Sequence, residues 1–272
     1  MDVALRTKTV NESGFPLQIA VSHFVDRQRP GGWRVRYEEH AWRDRRSGEL
    51  RFIDVVLQNS AGTAFMVIEC KSVRGAEWIF LSKSTVLRPR EDCVLWVSRT
   101  RNSGWKECRV EPPSFQSAFC AVTGQDGSPP RSMLERVASN VVSATEALAT
   151  QEKNFLAPAH DGFRVYVNAI VTTASLYVAE VDHTGVSLGE GTVDRAKFIE
   201  VPFVRFRKQL ADSAADPITA TTKPPLDVAR ARESTVFVVN AAHLGEFLQE
   251  FELERQDANR LISRSAGLVE EG

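Results

Sequence analysis

Two short segments constrain this chain most: Phe52-Ile53-Asp54-Val55-Val56-Leu57 and Phe65-Met66-Val67-Ile68-Glu69-Cys70-Lys71. Each is an apolar, β-branched run of strand length, and each carries a carboxylate. A lone carboxylate on an apolar strand is costly unless a proton, a partner or a metal neutralises it. Side chains alternate along a strand. Phe65, Val67, Glu69 and Lys71 therefore share one face, and Met66, Ile68 and Cys70 take the other. Asn59-Ser60-Ala61-Gly62 reads as the turn that joins the two runs into an antiparallel pair. Asp54, Glu69 and Lys71 are expected to converge at one sheet edge. Two hard oxygen ligands beside an ammonium suit a divalent cation and a phosphodiester.

The flanking sequence supplies further elements. Ser13-Gly14-Phe15-Pro16 reads as a helix start, with Ser13 or Gly14 as cap and Pro16 in the first turn. Leu17, Ala20, Val21, Phe24 and Val25 follow at helical spacing, and Pro30-Gly31-Gly32 ends the helix. Residues 1–13 show little pattern. Residues 33–39 alternate as a half-buried strand. Ser132 to about Gln151 reads as an amphipathic helix, and 163–171 as a central strand. The span 74–130 is read as an insertion anchored by Trp78, Trp96 and Trp105, with 94–97 as its one clear strand. Strands are expected at 176–181 and 235–239, a short helix at 242–254, and a mobile loop at 212–225.

Composition excludes several classes. With 43% hydrophobic and 25% charged residues the chain is ordinary for a soluble globular protein. No apolar run nears the roughly 18 residues of a membrane span. The first residues lack a secretory core, so cytoplasmic residence is expected. Cys70, Cys93, Cys108 and Cys120 form no C-x-x-C pair, which disfavours structural zinc. The five histidines show no ligand spacing; His23 is expected near the apolar face of the first helix. There is no P-loop, dinucleotide fingerprint or G-x-S-x-G. Net charge is -1, but residues 1–110 hold 19 Lys+Arg against 13 Asp+Glu, while 111–272 hold 15 against 22. That asymmetry is compatible with a basic nucleic-acid face on the first half.

A helix, three strands, a helix and a strand, with Asp on the second strand and Glu-x-Lys on the third, resembles the PD-(D/E)XK nuclease superfamily. The resemblance implies an α/β fold with a restriction-endonuclease-like core: α-β-β-β-α-β, a mixed central sheet flanked by helices. It assigns residues 1–172 to that core, with the insertion at about 74–130, and 173–272 to a C-terminal α/β extension. It implies Asp54 and Glu69 as ligands of Mg²⁺ or Mn²⁺, joined by the backbone carbonyl of Cys70, and Lys71 as the catalytic lysine. Ile53 replaces the family's proline. Gln18 stands where the first helix often bears an acid, and can still bind or orient a metal-bound water. Glu12, Glu38 and Glu39 are further candidates.

The implied activity is metal-dependent phosphodiester hydrolysis, DNA more than RNA, as an endonuclease in bacterial anti-phage defence or repair. Arg43, Arg45, Arg46, Lys83, Arg88 and Arg90 are candidate phosphate contacts, with Arg99, Arg101 and Lys106 behind them. The alternative is a catalytically degenerate subunit of the same fold that binds nucleic acid or a protein partner. A third expectation is a protein-interaction role for the acidic C-terminal half, in which residues 176–254 dock a partner or form a homodimer through 235–239 and the following helix.

Overall fold

The computed structural model describes residues 2–45, 47–73, 75–83, 88–98, 103–123, 133–153, 163–210 and 233–254. Arg46, Arg99, Arg101 and the expected loop at 212–225 lie outside the described residues. So does the side chain of Lys83.

The protein is α/β, with a mixed central sheet flanked by helices. The first part of the chain forms α1 (Val3–Glu12), α2 (Phe15–Gln28), β1 (Arg34–Arg43), β2 (Leu50–Gln58) and β3 (Ala64–Lys71). The span 74–130 holds more strand than expected: β4 (Glu77–Lys83), β5 (Arg90–Ser98), β6 (Ser103–Ser114), β7 (Gln116–Ser117) and β8 (Phe119–Val122). Then come α3 (Met133–Lys153), β9 (Arg164–Thr172), β10 (Ser175–Val181), β11 (Ala196–Glu200), β12 (Phe203–Lys208), β13 (Ser234–Asn240), α4 (Leu244–Glu250) and β14 (Glu252–Leu253).

The main path of the central sheet runs β1-β2-β3-β9-β13-β12-β7. β1, β2 and β3 are antiparallel neighbours, whereas β3, β9 and β13 are parallel. The parallel β3–β9 pair needs a long crossover, and α3 lies within it. The parallel relationship continues beyond these strands. β4 and β10 leave the ends of β3 and β9 and pair in parallel within a second sheet ordered β11-β10-β4-β8. Lys71 sits at the corner between the sheets, where its carbonyl accepts from Thr172 Oγ1 (2.9 Å) and Thr173 N (3.3 Å).

Two apolar clusters sandwich the central sheet. One joins Phe65, Val67, Tyr166 and Ile170 to Leu134, Val141 and Leu148 of α3 and to Trp78 and Phe80 of the second sheet. The other joins Met66, Ile68, Cys70 and Val167 to Val21 and Val25 of α2 and Phe247 of α4. The alternation expected along β3 therefore holds. Trp78 and Trp96 are buried and Trp105 packs against the first cluster, as expected of anchors.

Several expectations need correction. Residues 3–12, read as unpatterned, are helical, yet α1 buries no residue. With nothing buried, no apolar period marked it. The helix expected at 242–254 ends at Glu250, after a 3₁₀ turn at Ala241–His243. Phe251 turns extended and packs on Trp33, Phe237 and Phe247, which draws the chain off the helix into β14. His23 is exposed, not packed. β13 pairs with β9 on one edge and β12 on the other, so it offers no free edge to a second copy.

Candidate functional site

The site forms where β2 and β3 stop pairing. Their ladder runs from Gln58↔Phe65 to Val55↔Ile68 and no further. Continued register would set Cys70 opposite Ile53. Instead the Cys70 N–H donates to Asp54 Oδ2 at 2.6 Å. The carboxylate takes over as acceptor and ties its strand to that of Glu69. The Cys70 carbonyl shares that edge, because N–H and C=O of one strand residue point the same way.

A distortion at the same level frees these side chains from the sheet's alternation. On β1, Tyr37 and His40 are three residues apart, yet both reach α3: Tyr37 Oη donates to Glu152, and His40 Nε2 lies 3.0 Å from Gln151 Oε1. On β2, Ile53 and Val56 are also three apart and lie in the same cluster, while Val55 and Leu57 lie in the other. A strict period of two forbids both. The break falls at Glu39 and Asp54, which neighbour each other across the strands, since Glu38 pairs with Val55 and His40 with Ile53. Glu39 has φ 47°, a left-handed backbone that costs a non-glycine residue about 1 kcal/mol or more. Bulge-like irregularities of this kind re-aim side chains.

Gln18 comes from the first turns of α2, whose cap Gly14 has φ 85° and whose Pro16 lies in the first turn. Its side chain is buried, and Nε2 donates to Glu39 Oε1 (2.5 Å) and to the Asp54 carbonyl (3.0 Å). Both partners are acceptors, so the amide NH₂ must face them. The Gln18 amide nitrogen is thus committed to holding Glu39 and β2.

Three carboxylates, Glu39, Asp54 and Glu69, therefore feel one another and the single ammonium of Lys71. Burial raises the Asp54 carboxyl; the Cys70 N–H lowers it, Glu39 raises it and Lys71 lowers it. Burial and then Asp54 push Glu69 up to about 7, with Lys71 opposing. Both acids thus hold protons more tightly than free carboxylates, first because burial disfavours their charge and then because neighbouring carboxylates outweigh the one lysine.

The donor set fits a hard divalent cation: carboxylate oxygens of Asp54 and Glu69 and the Cys70 carbonyl, in an excess of negative charge. Among the described residues no three His, Cys, Asp or Glu side chains are gathered as a complete ligand set. Waters and a substrate phosphate would complete the coordination, the usual habit of Mg²⁺.

The structure brings Asp54, Glu69, Cys70, Lys71 and Gln18 together, and adds Glu39, which the sequence offered only as a further candidate. Glu38 is exposed, and Glu12 ends α1. The arginines are dispersed. Arg43 and Arg45 lie at the tip of the β1–β2 hairpin, where Arg43 Nη1 donates to the Gly48 carbonyl and Arg45 Nη2 to Thr150 Oγ1. Arg88 is exposed just ahead of β5. Arg90 pairs with Ser114, whose carbonyl is held by Arg205 of β12. β9 and β13 separate β12 from β3, so Arg90 is remote from the carboxylates. Lys106 is exposed on β6.

Comparison with family models, curated proteins and solved structures finds no match for this chain. Among the described residues no helix is long and apolar enough to cross a membrane.

Proposed function

We propose that this chain is a metal-dependent nuclease of the PD-(D/E)XK kind, with Asp54, Glu69 and Lys71 as its catalytic residues. The observation that carries the reading is the meeting of these three groups across the end of the β2–β3 ladder, with Glu69 raised to about 7. A scaffold has little use for such an arrangement. Buried ion pairs contribute little net stability, and here carboxylates outnumber the ammonium.

In this reading Asp54 and Glu69 hold Mg²⁺ or Mn²⁺, and the Cys70 carbonyl shares the site. The cation, when bound, acidifies a water and stabilises charge on the phosphate. Lys71 neutralises the scissile phosphate and orients the attacking water. Gln18 acts at one remove as a positioning residue that holds Glu39 and the Asp54 backbone. The restriction-endonuclease-like core belongs to this proposal: α2, β1–β3, α3 and β9 follow the order that the resemblance implies.

One observation favours the degenerate-subunit alternative: α2 offers a neutral amide, Gln18, where the resemblance often has an acid. The test is cleavage of plasmid, linear and single-stranded DNA and of structured RNA, with Mg²⁺ or Mn²⁺ against EDTA. The nuclease reading expects metal-dependent cutting of at least one substrate. Intact substrate throughout, together with calorimetry that detects no Mn²⁺ binding, favours the degenerate subunit.

A further inference from the structure

The β1–β2 hairpin does not end at the carboxylates. β2 leaves β3 after Val55, but β1 and β2 stay paired out to Arg43↔Leu50. A two-stranded arm thus projects past Asp54. Its two faces differ sharply. Trp42, 3% exposed, and Ile53, 2% exposed, join the α3 cluster, and Arg51 donates to Asn140 of α3 at 2.8 Å. The opposite face carries Arg43 paired with Leu50 and Ala41 paired with Phe52, all exposed. Leu50 is 57% and Phe52 51% exposed.

The position of Phe52 is specific. It precedes Asp54 by two residues, about 7 Å along the strand. Its cross-strand neighbour Ala41 is too small to cover the ring, and Glu39 follows Ala41 by the same two-residue step back toward the site. The strip therefore runs from Arg43 and Leu50, through Ala41 and Phe52, to Glu39 and Asp54. Asp44 and Glu49 at the arm's tip are held by Arg51 at 3.1 and 3.3 Å, which limits their repulsion of a phosphate backbone.

Resting on the nuclease reading, we infer that Phe52 is a stacking platform for an unpaired base beside the scissile phosphate, and that the substrate is single-stranded or locally unpaired nucleic acid. An open ring on a flat strand face accepts the π-face of any splayed base. A paired base inside a duplex keeps its faces stacked on its neighbours and cannot use the ring. Arg43 on the same face is placed to follow the backbone, and the strip's inner end is Asp54, whose carboxylate feels Lys71.

The test is fluorescence anisotropy of a labelled single strand and of the blunt duplex of the same sequence, with Ca²⁺ in place of Mg²⁺. Wild type, Phe52→Ala and Phe52→Trp are compared, each checked for fold by circular dichroism. Wild type should prefer the single strand. Phe52→Ala should weaken single-strand binding by about 5- to 150-fold, the range for loss of one stacked base, and leave duplex binding unchanged. Phe52→Trp should restore binding. Equal single-strand affinity for wild type and Phe52→Ala overturns the inference. If such a protein still cuts nucleic acid in a Lys71-dependent manner, the nuclease reading survives alone. If wild type neither binds nor cuts any nucleic acid, both fall.

Discussion

Asp54 Oδ2 accepts the backbone N–H of Cys70 at 2.6 Å, so the first acid of the site is bonded to the strand that bears the second. This bond fixes the spacing of the two carboxylates at the point where the ladder ends. It also leaves Glu69 in a half-buried setting with excess negative charge, and its protonation should report that.

The Glu69 carboxyl lies near 7, above its ordinary value of 4.5, because burial and Asp54 disfavour the charged form. The folded state therefore binds this proton more tightly than the unfolded state. Its stabilising effect is complete below about pH 4.5 and is lost as pH rises to about 7. Glu69→Gln should remove that penalty. In EDTA its melting temperature should exceed the wild type's at pH 8, by roughly 2–6 °C, and match it at pH 5. Equal melting temperatures at pH 8 would show that Glu69 carries no such strain.

A cation that binds only the folded protein should offset the same repulsion. Mn²⁺ at a hundredfold excess over its dissociation constant stabilises by about 2.7 kcal/mol. Thermal unfolding at pH 8 should show this gain for wild type and little or none for Asp54→Asn. An equal gain in both would place the cation elsewhere.

Gln18 holds Glu39 and the Asp54 carbonyl through one amide nitrogen. Gln18→Leu keeps the side chain's bulk and removes both bonds. It should lower kcat about tenfold with a smaller change in KM, since the reacting groups remain and only their placement loosens. Unchanged kcat would reduce Gln18 to a packing residue.

Glu152 is a structural contrast to the site. It is 4% exposed and accepts from Arg36, Arg164, Tyr37 and Tyr166. Fully satisfied, it ties the end of α3 to β1 and β9. Glu152→Leu would leave two guanidiniums facing each other, and should cost about 3 kcal/mol, or roughly 6–12 °C in melting temperature. A drop of less than 2 °C would mean that solvent compensates both arginines.

The legible parts of the fold were those with a helical apolar period, α2 and α3, or with a nearly unbroken apolar run of strand length, β2, β3 and β9. β12 was not read as a strand because Phe203-Val204-Arg205-Phe206-Arg207-Lys208 interrupts its apolar pattern with charge. Arg205 is fully buried there, with its guanidinium given to the carbonyls of Asp92 and Ser114. Such partners come from residues about ninety or more positions away and leave no local signal. In the site, Asp54, Glu69 and Lys71 stood out as charges on apolar strands. Glu39 did not, because it sits on an exposed stretch of β1. The register opposite Asp54, the left-handed backbone and the bond from Gln18 single it out.

The most direct test is to assay wild type, Lys71→Ala and Asp54→Asn side by side on the same nucleic acid with Mn²⁺, after confirming that all three are folded. The account predicts that wild type cuts, that EDTA stops it, and that both variants still bind nucleic acid but do not cut. Cutting by Lys71→Ala at the wild-type rate, or cutting that persists in EDTA, would contradict it.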